Sequence, residues 1–225
     1  GVAYVLPDNP RMTHEVVLQG DTQGATHGQF VEVKIVSQPN HRSLAVAELT
    51  AILGDHLAPG LEIDIALRNF DIPHLWPNEV SEQAANISPQ VTEADKVGRV
   101  DLRNLALVTI DGEDAKDFDD AVYAEKRAGG GYRLVVAIAD VSHYVRPDSP
   151  LDIEAKHRST SVYFPGFVVP MLPEVLSNGL CSLKPNVDRL CMVCDMTISR
   201  AGRVTGSQFY EAVMHSQARL TYTKV

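Results

Sequence analysis

Residues 109–122, TIDGEDAKDFDDAV, decide how the second part of this chain is interpreted. The apolar run 105–110 leads into them, and the strand-forming residues 121–123 continue them. Six of the ten residues from Asp111 to Asp120 are acidic, with one lysine, Lys116, among them. The pattern predicts a strand, an acidic connection and a second strand. We call residues 111–120 the acidic loop.

The acidic loop has two open interpretations. Most runs of charge form a solvated surface on which the side chains spread apart. The alternative is a site for divalent cations. Four carboxylates about 5 Å apart, at an effective dielectric near 20, repel by about 3 kcal/mol per pair and about 20 kcal/mol in total. A domain stable by about 5–15 kcal/mol tolerates such a cluster only if cations or protons intervene.

The positions of the aspartates favour the metal site. Asp111 follows one predicted strand and Asp120 begins the next. Burial of Phe118 would turn Asp117 and Asp119 to the other side of an extended segment. The residue order does not fit an EF-hand. Carboxylates suit Mg²⁺ or Mn²⁺, and paired metal ions commonly assist phosphodiester cleavage, which is the reaction class that the residues suggest.

Length and composition set further limits. The 225 residues suffice for one large or two small domains. We expect a cytoplasmic protein without membrane association, because no long apolar stretch or signal-peptide pattern occurs. Three cysteines argue against a disulfide framework, and we expect Cys191 and Cys194 in a buried strand. The net charge of −9 counts against a nucleic-acid binder unless bound metal reverses the sign locally.

Residues 1–75 are predicted to form a small all-β barrel. Short apolar runs alternate with turn sequences, and residues 30–35 alternate as a half-buried strand does. The opening segment GVAYV resembles the aromatic-bearing strand of cold-shock barrels, which are OB-type folds that stack bases on such rings. Tyr4 is therefore a candidate RNA-binding residue, and packing at the core or rim of the barrel is an equal alternative.

Residues 76–225 are predicted to mix strands and helices. Residues 71–100 form a junction with one short helix, and 121–126 pairs with 132–139 as a hairpin. A helix starts at Ser149, which can cap it, with Pro150 in its first turn, and ends near Arg158. Two more strands are expected near 190–199 and 203–213. The fold class is thus a small all-β barrel followed by an α+β domain.

The stretch 108–122 resembles the catalytic signature of the ribonuclease II family of 3′→5′ exoribonucleases. Within the family, GEDA (112–115) and DFDD (117–120) are more similar to the bacterial ribonuclease R branch than to ribonuclease II itself. Three further segments agree: VAIADVS (136–142), SVYFP through PMLP (161–173) and LSNGLCSL (176–183). The similarity covers essentially the whole chain, with a truncated cold-shock domain at 1–75 and the first part of the catalytic (RNB) domain at 76–225.

The resemblance implies roles for individual residues. The four metal-site aspartates of the family fall on Asp111, Asp117, Asp119 and Asp120, which would hold Mg²⁺ and, through it, the scissile phosphate. Loss of Asp119 should impair chemistry most while leaving RNA binding largely intact. The family's aromatic clamp falls on Tyr163, which would stack on a base near the 3′ end. Without the family, a half-buried strand tyrosine is the simpler interpretation.

The resemblance also implies a processive, monomeric enzyme that releases nucleoside 5′-monophosphates from single-stranded and structured RNA. The family's catalytic arginine, second aromatic clamp and C-terminal RNA-binding domain would lie beyond Val225, so we expect little activity from this segment alone. Two other classes stay open. One is a non-catalytic RNA-binding module with a degenerate nuclease domain, and the other is an acidic or Ca²⁺-sensing loop in an unrelated α/β protein.

Overall fold

The computed structural model describes residues 2–55 and 58–225. The chain divides into two compact units, residues 1–72 and 73–225. None of the helices in the described ranges has the length and apolar character needed to cross a membrane. The predicted fold class, a small sheet-based unit followed by a unit that mixes strands and helices, is confirmed. The predicted domain boundary near residue 75 stays a prediction.

The first unit contains one four-stranded sheet in its described residues. Its elements in chain order are β1 (Ala3–Val5), β2 (Val16–Leu18), β3 (Gln29–Ser37), β4 (Ala45–Asp55) and helix α1 (Leu61–Asn69). The sheet order is β1-β2-β4-β3, with β2 and β4 parallel. Val16, Ala45 and Ala47 form its buried core. The sequence pattern predicts no helix in this unit, so α1 is an addition.

The sequence of helix α1 begins by alternating apolar and acidic residues, a pattern more typical of a strand. The helix begins after Gly60, whose φ of 86° lies in the left-handed region that glycine tolerates. Glu62 and Asp64 lie in the first turn, where the helix dipole favours negative charge. The helix buries Leu61 and Leu67, which shows that tertiary packing overrode the local alternation.

The second unit is built on a seven-stranded sheet. Its elements are α2 (Asn78–Ala85), a 3₁₀ turn (Ala94–Lys96), β5 (Val100–Asp101), β6 (Val108–Asp111), β7 (Asp120–Lys126), β8 (Tyr132–Ala139), α3 (Val141–Tyr144), α4 (Pro150–Arg158), β9 (Val162–Phe164), β10 (Phe167–Val169), a π-helical segment (Val175–Leu180), β11 (Arg189–Ile198), β12 (Val204–Met214) and β13 (Ala218–Thr221). The strand order is β13-β6-β7-β8-β11-β12-β5, and β9 pairs separately with β10.

Several predicted elements of this unit are confirmed. The hairpin of β7 and β8 and the strands β11 and β12 occur where they were expected. Helix α4 starts as predicted, with Ser149 Oγ accepting a hydrogen bond from the backbone N–H of Asp152 at 3.3 Å. Cys191 is fully buried in β11, and Cys194 is partly buried there. The predicted strand 105–110 is shorter, because β6 begins only at Val108.

One core occupies a face of the large sheet. Val135 and Ala137 of β8, together with Val193 of β11, contribute fully buried side chains, and α2 and α4 pack over them. Gln83 of α2 accepts a hydrogen bond from the backbone N–H of Leu151 at 3.0 Å and so ties the two helices together. The two helices thereby cover this face of the sheet.

Candidate active site

The acidic loop connects two neighbouring antiparallel strands. β6 ends at Asp111 and β7 begins at Asp120, and Val108 pairs with Val122 between them. Because the strands are antiparallel, the end of β6 and the start of β7 lie at the same edge of the sheet. Asp111 and Asp120 are therefore held by the sheet, and Asp117 and Asp119 lie in the loop between them.

Phe118 anchors the loop as expected from the sequence. Its side chain is 5% exposed and belongs to the core of the second unit, whereas Asp119 is exposed. The carbonyl of Asp119 accepts a hydrogen bond from the backbone N–H of Ala139 at 2.8 Å, which fixes the loop end against β8. The burial of Phe118 thus turns the adjacent carboxylate outward.

Ser182 fixes the backbone on both sides of Asp117, and sequence reasoning missed this residue. Its fully buried hydroxyl accepts a hydrogen bond from the N–H of Phe118 at 3.2 Å and donates one to the carbonyl of Lys116 at 2.9 Å. The carbonyl of Ser182 in turn accepts from Nε of Arg189 at 2.7 Å. Ser182 lies within the LSNGLCSL segment, but the sequence carries no signal that it reaches the loop.

Arg219 is a second residue that the sequence analysis missed. Its guanidinium lies 4.8 Å from the centre of the Phe118 ring, and its Nη2 donates to the carbonyl of Glu113. β13, which carries Arg219, runs parallel to β6. The guanidinium of Arg219 thus links Glu113, in the first half of the acidic loop, to Phe118, the buried residue in its second half.

Tyr163 forms a hydrogen bond with Asp117, one of the predicted metal-site aspartates. It lies on β9, its side chain is 63% exposed, and its hydroxyl donates to Oδ2 of Asp117 at 2.6 Å. This hydrogen bond, followed by partial burial, raises the pKa of Tyr163 above its ordinary value. The structure therefore brings the two residues together, although the base-stacking role of Tyr163 stays a prediction.

The aspartates influence one another electrostatically. Burial, then the charges of Asp119 and Asp111, raise the pKa of Asp120 above its ordinary value. Like charges disfavour ionisation of a neighbour only when they are close, so these three carboxylates share one region. Asp111 Oδ1 accepts a hydrogen bond from the N–H of Gly112 at 2.7 Å, which partly satisfies that carboxylate.

The side chains do not converge as a finished metal centre. Within residues 2–55 and 58–225, no three His, Cys, Asp or Glu side chains lie close enough together to hold a metal ion. Carboxylates that lie close together repel one another, which opposes such convergence. The chemistry of the donor set nevertheless fits Mg²⁺, a hard cation that prefers carboxylate oxygens. The metal assignment of the four aspartates stays a prediction.

Tyr4 lies in the first unit, on strand β1. It pairs with Val17 of β2, and its side chain is 53% exposed. A ring that remains this exposed is accessible for stacking, and the predicted contact with RNA is not tested by this geometry. Glu113 and Asp114 of the acidic loop are also exposed, and Glu113 accepts a hydrogen bond from Thr223 at 3.4 Å.

Comparisons with known proteins agree with this architecture. A family model described as RNB domain matches residues 99–225, and one described as cold shock domain matches residues 4–77. The chain is 59% identical to ribonuclease R of Escherichia coli and 57% identical to that of Vibrio cholerae, each over 226 residues that cover 100% of this chain and 28% of the relative. The chain thus spans about a quarter of the length of these curated relatives.

A solved structure shares the fold. The Mycoplasma genitalium RNase R in complex with double-stranded RNA superposes with a TM-score of 0.83 at 34% identity, covering 92% of this chain and 38% of that one. The RNB match alone extends over more than half of this chain. The resemblance to the ribonuclease II family is therefore confirmed, and the chain belongs to the family of RNB-domain proteins that includes ribonuclease R.

Proposed function

We propose that this chain supplies the metal-binding part of a processive 3′→5′ exoribonuclease that hydrolyses RNA, including structured RNA, to nucleoside 5′-monophosphates. One observation carries the proposal. Asp111 and Asp120 end and begin adjacent strands at one sheet edge, and the loop between them brings Asp117 to Tyr163. This arrangement occurs in a chain 59% identical to a ribonuclease R.

Asp111, Asp117, Asp119 and Asp120 would hold Mg²⁺, with Mn²⁺ as an alternative. Such an ion, when bound, activates water and stabilises negative charge on a phosphate. Other residues of the chain fix the backbone that carries these aspartates. Ser182 and Phe118 hold the backbone of the acidic loop, so a bound ion would meet a backbone that is already fixed. After burial, the charges of Asp119 and Asp111 also raise the pKa of Asp120, and a cation at this edge would relieve that repulsion.

Tyr163 would orient the RNA beside the aspartates. Its ring is largely exposed and can stack on a base, while its hydroxyl holds Asp117. Base–aromatic stacking tolerates any sequence, which suits an enzyme that degrades RNA one nucleotide after another. Tyr4 would contribute a further stacking surface in the first unit. Single-stranded and structured RNA are the proposed partners, and a cytoplasmic monomer the proposed state.

The test compares Asp119→Asn with Asp114→Asn in a protein of the relatives' length that carries this segment. Both variants remove one charge from exposed positions of the same loop. With 3′-labelled RNA and increasing Mg²⁺, we expect the first variant to lose mononucleotide release by a hundredfold or more, on the order of a few kcal/mol in the barrier. RNA affinity measured in EDTA should stay within about twofold, and the second variant should remain active.

The alternative function, a non-catalytic RNA-binding module, makes a different prediction. It expects no Mg²⁺-dependent mononucleotide release from the unsubstituted protein and equal RNA affinity for all three proteins. We also propose that the 225-residue chain alone shows little hydrolysis. Release by the isolated chain at a rate comparable to that of the longer protein would contradict this part of the proposal.

A further inference from the structure

The second unit carries a cluster of cations at the end of the sheet away from the acidic loop. Lys126 and Arg127 lie at the turn between β7 and β8, and Arg200 and Arg203 lie at the turn between β11 and β12. All four are exposed. Tyr132 begins β8 beside them and is 47% exposed. We call these five residues the basic tip.

Cross-strand register makes the basic tip one continuous surface. Lys126 pairs with Tyr132, Tyr132 pairs with Ile198, and Ile198 pairs with Val204. Residues paired directly across strands point to the same face of a sheet and lie about 5 Å apart. The turn of the first hairpin therefore lies directly beside the turn of the second.

Two glycines allow this close approach. Gly130 and Gly131 have φ values of 87° and 80°, which a side chain would strain. A Cβ at Gly130 would overlap Nε of Arg200, and a Cβ at Gly131 would overlap the carbonyl of Ile198. Arg200 thus lies across the glycine turn. A shallow depression of ≈ 210 Å³ lies between Tyr132 and the cations of the two turns.

The charges of the basic tip are not neutralised inside the protein. In the described part of the chain, no carboxylate lies within 4.0 Å of the side-chain nitrogens of its four cations. By contrast, the neighbouring Arg133 pairs with Asp195 at 2.6 Å and with Glu125 at 3.4 Å. Four unpaired cations on one edge are conspicuous in a chain of net charge −9, and they create a local positive potential.

The basic tip is separate from the acidic loop. Asp120 begins β7 and Lys126 ends it, so at about 3.4 Å per residue the two ends are about 20 Å apart. A cation at this distance cannot contact the nucleotide held by the aspartates. It can contact phosphates elsewhere on the same RNA.

We propose that the basic tip binds the phosphate backbone of RNA as a second contact, distant from the acidic loop. The proposal rests on the proposed function for the identity of the polyanion. Guanidinium and ammonium groups fit phosphate oxygens, and Tyr132 offers a ring for a neighbouring base. An acidic protein partner would match the charge but would not need an exposed aromatic ring among the cations.

The test measures how RNA affinity depends on salt. A fluorescent oligouridylate is titrated with the 225-residue chain in EDTA, which prevents metal-dependent hydrolysis, at several KCl concentrations. The triple variant Lys126→Gln, Arg127→Gln, Arg200→Gln should reduce the slope of log K against log salt by about 2, since each phosphate contact on a single strand contributes about 0.7. The charge-retaining variant Lys126→Arg, Arg127→Lys, Arg200→Lys is the matched control and should keep the slope.

Because Arg200 packs on the glycine turn, the double variant Lys126→Gln, Arg127→Gln is measured as well, and it should lower the slope by about 1.4. Thermal unfolding confirms that each variant is folded. An unchanged slope in the triple and double variants would overturn the proposal, and so would an equal loss in the charge-retaining variant. Hydrolysis is assayed separately in the protein of the relatives' length. No Mg²⁺-dependent mononucleotide release from that protein, together with a salt slope that still falls in the variants of the 225-residue chain, would refute the proposed function and leave the basic tip standing.

Discussion

Tyr163 donates a hydrogen bond of 2.6 Å to Asp117, although the two residues lie 46 positions apart in the sequence. One is the proposed base-stacking residue and the other a proposed metal ligand. The proposed contact of RNA with Tyr163 would therefore be physically linked to the state of Asp117. A base that displaces the tyrosine ring would also release an oxygen of Asp117.

This contact predicts how Tyr163 titrates. The carboxylate of Asp117 raises the pKa of Tyr163, so the contact stabilises the fold below about pH 10 and is lost as pH rises through the raised pKa. Asp117→Asn should lower the pKa of Tyr163 towards its ordinary value. Ultraviolet difference titration of each protein against its Tyr163→Phe counterpart measures this pKa. Asp114→Asn is the control, and equal titration of Tyr163 in all backgrounds would refute the link.

The contribution of Asp120 to stability should depend on pH in the opposite sense to that of a salt-bridged aspartate. Its pKa is raised by burial and by Asp119 and Asp111, so its stabilising contribution is present below about pH 4 and is lost as pH rises through the raised pKa. Asp119→Asn removes one repelling charge and should lower the pKa of Asp120. Carboxyl ¹³C NMR titration reports it directly. A pKa of Asp120 that does not respond to Asp119→Asn would show that burial and Asp111 raise it without a contribution from Asp119.

Divalent cations should stabilise the second unit. If the four aspartates bind Mg²⁺, a concentration of roughly a hundred times Kd adds about 2.7 kcal/mol to the free energy of unfolding. Thermal unfolding with MgCl₂, compared with NaCl of the same ionic strength, separates binding from screening. Asp119→Asn should lose most of the Mg²⁺ effect and Asp114→Asn little. Equal effects of the two salts would argue for a solvated loop.

Ser182 should matter for stability because of the hydrogen bonds it makes to the acidic loop. Ser182→Ala leaves the N–H of Phe118 and the carbonyl of Lys116 without their buried partner, at a cost of about 1–3 kcal/mol. Ser177→Ala is a suitable control, since that hydroxyl donates one hydrogen bond within its own helical turn and should cost less than about 1 kcal/mol. Urea unfolding measures both. A loss for Ser182→Ala no larger than the control would mean that Phe118 alone anchors the loop.

The local structure of the second unit was largely predictable. The hairpin of β7 and β8 has apolar strands separated by a glycine-rich turn, and α4 carries its own cap in Ser149. Burial of Phe118 was also expected from one apolar residue among charges. Such features depend on residues a few positions apart, whose preferences the chain itself reveals. Helix α1 was not anticipated, because its alternation is that of a strand and only packing of Leu61 and Leu67 selects the helix.

The sequence by itself determined the order and spacing of the aspartates, and it predicted the strand on either side of them. Both depend on side-chain chemistry and local periodicity, which are properties of neighbouring residues. The tertiary structure alone decided that Ser182 would hold the backbone around Asp117, that Arg219 would lie over Phe118, and that Tyr163 would reach Asp117. Each of these contacts joins residues 46 or more positions apart, and it forms only when packing of the sheet has brought them together.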